Sequence, residues 1–368
     1  MQLSYSDIQH IKEVVNKFNV CSGEITHVIL VDSGRINSTY KIVITSEDDT
    51  ISYMLQKLNQ GVFKDVNAVM NNAIIVTEHL RSKGLKSLEY VLTKDGDSIL
   101  WEGTDAYRMT KFIHAEVFQT VGRPKDMYML GQAVGQFALG LSDLDATKVV
   151  DTIPRFHDTQ NRYELLLESA INNARAGGVR LFKSGEDLDF VIAHKETVEL
   201  LVSALARNEI PLRVTHNDTK LNNVLFDRKN NTPRCMIDLD TVMQGTILYD
   251  LADAIRYGAN TASEEETDYS KVSINLELVK AFLEGFVATA PDLLTEKEKE
   301  LLPVAIILMP LELGIRFLTD YYDGDKYFSV SPGNEDHNLV RARVQFALTK
   351  DIEAKMDKIK KIVNETLI

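Results

Sequence analysis

The stretch Thr215-His-Asn-Asp-Thr-Lys-Leu-Asn-Asn223, followed by Met236-Ile-Asp-Leu-Asp240, decides how this chain reads. It sets a histidine two places before Asp218, an asparagine five places after it at Asn223, and an apolar run that ends on Asp238. Asn, Asp and Thr also crowd ordinary turns, because their side chains bond nearby backbone. The flanks argue for more than a turn. Pro211–Thr215 reads as a strand leading in, Val224–Phe226 as apolar backbone leading out, and Arg234–Ile237 as a buried strand delivering Asp238 at its end. A loop with only a structural task needs neither an amide at that offset nor a strand-terminal acid downstream.

Those residue types suit one chemistry. Phosphoryl transfer from a magnesium nucleotide needs a carboxylate to orient and deprotonate an acceptor hydroxyl, and hard oxygen ligands to fix the metal on the phosphates. Asp218 is placed as the base, and Asn223 and Asp238 as metal ligands, a spacing that matches the kinase catalytic loop and its metal-binding aspartate. Mg2+ and ATP are therefore the expected cofactor and co-substrate. Lys220 could reach the transferring phosphate or stay solvated, and His216 is expected to bond within the loop.

Bulk properties are compatible with this reading. At 368 residues the chain is long enough for two lobes, and its 44% hydrophobic and 26% charged content is ordinary for a soluble globular protein. A formal net charge of −13 disfavours nucleic acid or an anionic membrane as partner. Cys21 and Cys235 read as reduced core residues of a cytosolic protein. The first residues form a polar amphipathic segment rather than a secretory signal, so a cytoplasmic location is expected. The apolar run Leu301–Leu318 is interrupted by Pro303, Pro310, Glu312 and Gly314, which predicts a buried helix pair rather than a membrane span. A monomer is favoured.

Working outward, Ile8, Ile11, Val15 and Phe18 share one helical face. Strands are expected at Glu24–Asp32, Ser38–Thr45 and Ile51–Leu58, then a helix from the Asp65 cap to Lys83, stopped by Gly84. Further strands follow at Leu88–Thr93, Ile99–Trp101 and Ala106–Ile113, with Trp101 read as strand packing. Helical periodicity covers 127–142, 160–175, 186–207, 275–288, 296–322 and 338–366. Asp250 and Asp253 open a helix, Leu251–Tyr257, that would brace the catalytic loop. This order is that of an α+β, bilobal, protein-kinase-like fold. Residues 1–113 would form a small antiparallel-sheet lobe ending in a hinge, and 114–368 a larger, mainly helical lobe.

The two motifs, together with Gly34-Arg-Ile-Asn-Ser-Thr-Tyr40, Phe156-His-Asp-Thr159, Ile255-Arg-Tyr-Gly258, the block from Arg316 to Tyr327 and His337–Arg343, resemble the aminoglycoside phosphotransferase and choline kinase superfamily. Within it the chain resembles the N-acetylhexosamine 1-kinases, over nearly its whole length and in the same order. The resemblance implies ATP- and Mg2+-dependent phosphorylation of the anomeric hydroxyl of N-acetylglucosamine or N-acetylgalactosamine. It aligns Gln56, not Lys57, with the usual third-strand lysine, and leaves Glu78 an exposed helix residue. The phosphates would then be held by Gln56 and by the Asp32–Asn37 turn, with Gly34 and Asn37. Adenine would stack near Met109 and bond backbone at Lys111 and Ile113. Arg316 and Tyr327 resemble the family's sugar contacts, and Arg35 stands where the family's turn carries histidine. A structural salt bridge from Arg316 to Asp320 or Glu312 is the competing reading, and His157 reads as a packed histidine.

Other acceptors are open. Tyr321, Tyr322 and Tyr327 could cage choline, and Asp320, Asp323 and Asp325 could line a trough for an aminoglycoside, with homoserine a further candidate. Arg316 and Arg35 would repel a cation, which favours a neutral sugar. The missing lysine and glycine-rich loop also raise a nucleotide-binding regulator that has lost catalysis.

Overall fold

The computed structural model describes residues 3–31, 37–230, 232–331 and 333–367. Helix α1 (Tyr5–Val15) starts at a capping box in which Ser4 and Asp7 each bond the other's backbone N–H. Strands β1 (Glu24–Val31), β2 (Ser38–Thr45) and β3 (Thr50–Lys57) follow, then helix α2 (Val66–Ser82) and strands β4 (Tyr90–Val91), β5 (Leu100–Glu102) and β6 (Asp105–Lys111). They form one antiparallel sheet in the order β1-β2-β3-β6-β4, with β5 paired to β6.

Period-two alternation sorts this sheet's side chains into two layers. Ile42, Ile44, Tyr53, Leu55, Tyr107 and Met109 pack with the apolar face of α1, while Leu58 and Ala106 pack with Val66, Val69 and Met70 of α2. Arg108, between Tyr107 and Met109, therefore lies on the α2 face, which also faces the second lobe.

That lobe begins with α3 (Pro124–Gly140), α4 (Thr159–Arg175), α5 (Val179–Lys183), α6 (Gly185–Ala193) and α7 (Lys195–Ala206). Short strands β7 (Arg213–Thr215), β8 (Val224–Phe226), β9 (Pro233–Met236) and β10 (Met243–Gly245) then carry the Thr215–Asn223 and Met236–Asp240 motifs. The chain finishes with α8 (Ile247–Gly258), α9 (Leu276–Thr289), α10 (Glu296–Asp323), α11 (His337–Ala354) and α12 (Met356–Leu367). Helices α3 and α9 meet backbone to backbone: a Cβ on Gly131 would sit 2.0 Å from the Phe282 carbonyl oxygen, and one on Gly285 1.9 Å from that of Tyr128.

Three helical expectations change. The run around Leu301–Leu318 is one continuous helix, α10, with Pro303 and Pro310 inside it, which agrees with the periodicity over 296–322 and replaces the expected pair. Each proline removes a backbone bond at a cost of about 3 kcal/mol in an isolated helix. Burial of Leu302, Ile306, Leu308, Leu311, Ile315 and Leu318 against the core outweighs that cost. This helix is long and apolar enough to cross a membrane, yet 78% of its apolar window is buried within the protein, as in a core helix. The expected 186–207 helix breaks at His194, whose Nδ1 bonds the Phe190 carbonyl, and the expected 338–366 helix breaks at Lys355.

Within the larger lobe Glu116 bridges Phe226 of β8, and a side chain of α2 ties the sheet lobe to the segments beside the site. The buried Asn72 amide of α2 donates to the Val242 and Val150 carbonyls at 2.9 and 2.7 Å.

Candidate active site

The loop after β7 is fixed by carboxylates of α8. Asp250, buried in the first turn of that helix, accepts the backbone N–H groups of His216 and Asn217 at 2.9 and 2.7 Å. Asp253 accepts that of Thr219 at 3.1 Å. Two more bonds tie the loop to the segment after β9. The His216 Nε2 donates to the Ile237 carbonyl at 2.9 Å, and the Asn217 amide donates to that of Thr241 at 2.9 Å. Asn217 and Asp238 both take left-handed backbone, with φ of 63° and 61°. That conformation is unfavourable for most non-glycine residues and is retained where surroundings over-determine it.

Scaffolding leaves Asp218 free for other work. Its Oδ1 lies 2.7 Å from Lys220 Nζ, and its Oδ2 accepts from the Asn223 amide at 3.0 Å. Burial pushes the Asp218 carboxyl up, but Lys220 and the Asn223 hydrogen bond outweigh it and hold it below its ordinary value. Asn223 spends its NH2 group on Asp218, so its carbonyl oxygen is the atom left to offer a metal. The backbone bond from Ile237 N–H to the Asn223 carbonyl, 2.8 Å, brings Asp238 alongside.

Asp238 lies deep in the cleft, yet its side chain is open to it, so an ion can reach it. Desolvation, then the neighbouring Asp240 and Asp218 carboxylates, push its carboxyl up to about 7. A divalent cation would relieve that crowding of negative charge. Among the described residues no cluster of three or more His, Cys, Asp or Glu has metal-holding geometry. An asparagine and an aspartate nonetheless fit magnesium, which takes one or two protein oxygens and completes its shell with phosphate and water.

On the nucleotide side, Gly34 and Arg35 lie outside the described residues. Asn37 donates to Asp240 at 2.7 Å and accepts the Asn59 N–H at 2.9 Å, so it ties the end of the β1–β2 turn to the second lobe. Gln56 does face the cleft, but its amide is committed to Thr39 and to Arg108. Lys57 points away and pairs with Asp105 at 2.6 Å. Glu78 is exposed on α2.

The expected Met109 contact needs correction: the side chain is fully buried in the layer beneath α1, on the face turned from the cleft. Thr110, one residue on, has the cleft-facing phase. At the hinge the Lys111 N–H is already committed to the Glu89 carbonyl at 2.9 Å, so only its carbonyl remains for adenine. Ile113 follows in irregular backbone just after β6.

Beyond Asp218 and Lys220 a pocket of about 470 Å3 opens, a volume suited to one small molecule. Arg316 and Tyr327 line it. The Arg316 guanidinium stands 4.8 Å from the Phe156 ring centre, 5.6 Å from that of Phe328 and 5.9 Å from that of Tyr327. It makes no ion pair among the described residues, since both acids expected to hold it are engaged. Asp320 accepts the N–H groups of Lys326, Tyr327 and Phe328 at 2.9, 2.8 and 2.9 Å, which shapes the loop that carries Tyr327. Glu312 grips His157 Nδ1 at 3.0 Å.

Two side chains here do more than their local sequence announces. His157 is packed against Phe156 and Tyr249, as expected, but it also lines the pocket, and its buried Nε2 has no hydrogen-bond partner among the described residues. Arg108 carried no local signal at all. Tyr321 and Tyr322 are buried, so no three-tyrosine cage forms with Tyr327.

Residues 27–273 match the Phosphotransferase enzyme family. Solved structures share the fold over almost the full length. An aminoglycoside phosphotransferase from Alicyclobacillus acidocaldarius is 17% identical with a TM-score of 0.61, each chain 96% covered. A choline kinase from Cryptosporidium parvum is 15% identical with a TM-score of 0.61, covering 98% of this chain and 99% of its own. A spectinomycin phosphotransferase solved with ADP and spectinomycin is 13% identical with a TM-score of 0.61, covering 95% and 98%.

Proposed function

Because this chain belongs to the Phosphotransferase enzyme family, we propose that it transfers the γ-phosphoryl group of ATP to the anomeric hydroxyl of an N-acetylhexosamine. What supports the proposal is that Asp218 lines the same pocket as Arg316 and Tyr327 while its carboxylate accepts from the Asn223 amide, and the Ile237 N–H bond to the Asn223 backbone carbonyl brings Asp238 alongside. Asp218 would accept the hydroxyl proton as the sugar oxygen bonds to the γ-phosphorus and the bond from that phosphorus to the β-bridging oxygen breaks, releasing ADP. An anomeric hydroxyl is more acidic than an ordinary alcohol, so a carboxylate of low pKa suffices. Lys220, bonded to Asp218, brings positive charge to where the phosphoryl group would pass. Asn223 and Asp238 would hold magnesium, which neutralises charge on the phosphate oxygens.

The lining favours a neutral acceptor over a cationic one. Its acids are Asp218, Asp253, Glu264, Glu312 and Asp325; its bases are Lys220, Arg256, Arg316, Lys326 and Arg341. The two sets balance within a chain of net charge −13. Choline or an aminoglycoside calls for a negative excess or an aromatic cage. An acetamido carbonyl and ring hydroxyls instead suit the Arg316 fork, the free His157 nitrogen and the flat wall of Phe156, Tyr327 and Phe328.

A coupled ADP-release assay with N-acetylglucosamine, N-acetylgalactosamine, choline, an aminoglycoside or buffer alone tests this. Release with an N-acetylhexosamine well above the others is expected. Faster turnover of choline or the aminoglycoside would overturn the acceptor, and release with none would overturn catalysis.

A further inference from the structure

We infer that Arg108 is the small-lobe cation that binds the nucleotide's phosphates, the task a third-strand lysine performs in protein kinases. This rests on the kinase reading above and adds a residue to it. The third-strand position is filled by Gln56, which carries no charge, and its amide is spent. The carbonyl accepts the Arg108 Nε–H at 2.9 Å, and the NH2 group donates to Thr39 Oγ1 at 3.2 Å. Pairing of β3 with β6 sets Gln56 directly opposite Arg108. The neutral side chain therefore holds a guanidinium one strand over, on the same face of the sheet.

Across the cleft, Arg108 Nη1 lies 2.5 Å from Oδ1 of Asp240, and both side chains are 3% exposed. The other Asp240 oxygen accepts from Asn37, where the chain leaves the β1–β2 turn. Arg108 thus sits where Asn37, the third strand and the segment bearing Asp238 come together. In protein kinases the lysine is paired with a glutamate of the small-lobe helix; here Glu78 of α2 is exposed, and Asp240 supplies the acid instead. A guanidinium has five N–H donors in a planar fork. Gln56 takes the Nε donor, Asp240 faces Nη1 as an ion pair without hydrogen-bond geometry, and Nη2 has no hydrogen bond to the described residues, which leaves donors for phosphate oxygens. Stability alone accounts poorly for the pair, because desolvation offsets most of what a buried ion pair gains.

Binding of adenosine, AMP, ADP and magnesium ATP to the full chain, measured by calorimetry, tests the assignment. The variants are Arg108→Met, Arg108→Lys and Gln56→Leu, the last of which loosens Arg108 and leaves its charge in place. Arg108→Met should weaken ADP and ATP by about tenfold or more, the worth of a charge-assisted hydrogen bond, with adenosine and the acceptor KM unchanged. Arg108→Lys should recover part of that loss, and Gln56→Leu should give a smaller loss with the same split. Equal weakening of adenosine and ADP would reduce Arg108 to a strap between lobes, and unchanged ADP binding would remove it from the site; both overturn the inference. If Arg108→Met fails to fold, the Gln56→Leu split decides by the same criteria. Wild-type protein that transfers phosphate while the variants keep their ADP affinity sinks only this inference, whereas wild type that binds no nucleotide sinks the kinase reading with it.

Discussion

Lys220 Nζ stands 2.7 Å from Oδ1 of Asp218, two residues earlier on the same loop, and its charge keeps that carboxylate ionised despite burial. The converse also holds: desolvation pulls the Lys220 ammonium down, but Asp218 and then Asp253 raise it above its ordinary value. Each therefore stays charged across the neutral range. Removing the cation should raise the Asp218 pKa, so in Lys220→Met the acid limb of the kcat/KM profile should move to higher pH. The loss should then be larger at pH 6 than at pH 8. An equal loss at both would mean that Lys220 acts on the phosphate alone and leaves the base untouched. Asp218→Asn should abolish turnover at every pH while magnesium nucleotide still protects the fold.

Asp238 has the opposite poise. Its carboxyl is pushed up to about 7 in the folded chain from an ordinary value of 3.8. Between those two values the folded state holds the proton more tightly than the unfolded one, so stability without metal should fall as pH rises through that window. Asp238→Asn removes the titration and the repulsion from Asp240 and Asp218. Thermal melts between pH 4 and pH 8 should then show a flatter slope and a higher Tm near pH 8 for the variant, which should also lose protection by a magnesium nucleotide. An unchanged slope would show that Asp238 is not the group responsible.

Local signals made much of this legible. The ends of strand β2, Ser38 and Thr45, are legible because apolar residues alternate between them and polar clusters bound them. The loop from Thr215 to Asn223 is marked by spacing within a few residues. What stayed hidden depends on partners remote in sequence or on a single step of phase. Glu312 grips His157 from 155 positions away, and no pattern around either residue announces it. Met109 and Arg108 differ by one place, yet alternation sends one beneath α1 and the other into the cleft. Taking Pro303 and Pro310 as breaks in the apolar run fails because local propensity ignores the packing that overrides it, whereas the periodicity over 296–322 gives α10 nearly whole.

Packing between α3 and α9 gives a test of the scaffold alone. Alanine is the better helix former by about 1 kcal/mol, so propensity predicts that Gly285→Ala stabilises. The new Cβ would stand 1.9 Å from the Tyr128 carbonyl oxygen, backbone that cannot easily yield. Overpacking typically costs about 1–3 kcal/mol, occasionally more, so the variant should unfold at lower urea than wild type. Gly185→Ala makes the control: it opens α6 with nothing within 4 Å of the added carbon, and it should be neutral or stabilising. A Gly285→Ala protein as stable as the control would show that the helices can part at little cost.

On the proposed function, Arg316 would carry the choice of acceptor. A guanidinium flanked by Phe156, Phe328 and Tyr327, with no ion pair among the described residues, can donate to an uncharged carbonyl or hydroxyl and repels an ammonium. Two effects therefore act together when it is removed. Arg316→Ala loses a charged donor, which should lower kcat/KM for N-acetylglucosamine by about tenfold to a hundredfold. It also removes a repulsion, so glucosamine, which differs in carrying a cationic amine, should lose less or gain. The ratio of the two kcat/KM values should narrow while the KM for ATP holds, since the nucleotide side of the cleft is built from other residues. Arg316→Lys should keep the repulsion but lose the planar stacking and the fork, and so fall between. A ratio unmoved by either substitution would place acceptor selection elsewhere, with the His157 nitrogen that Glu312 orients as the next side chain to change.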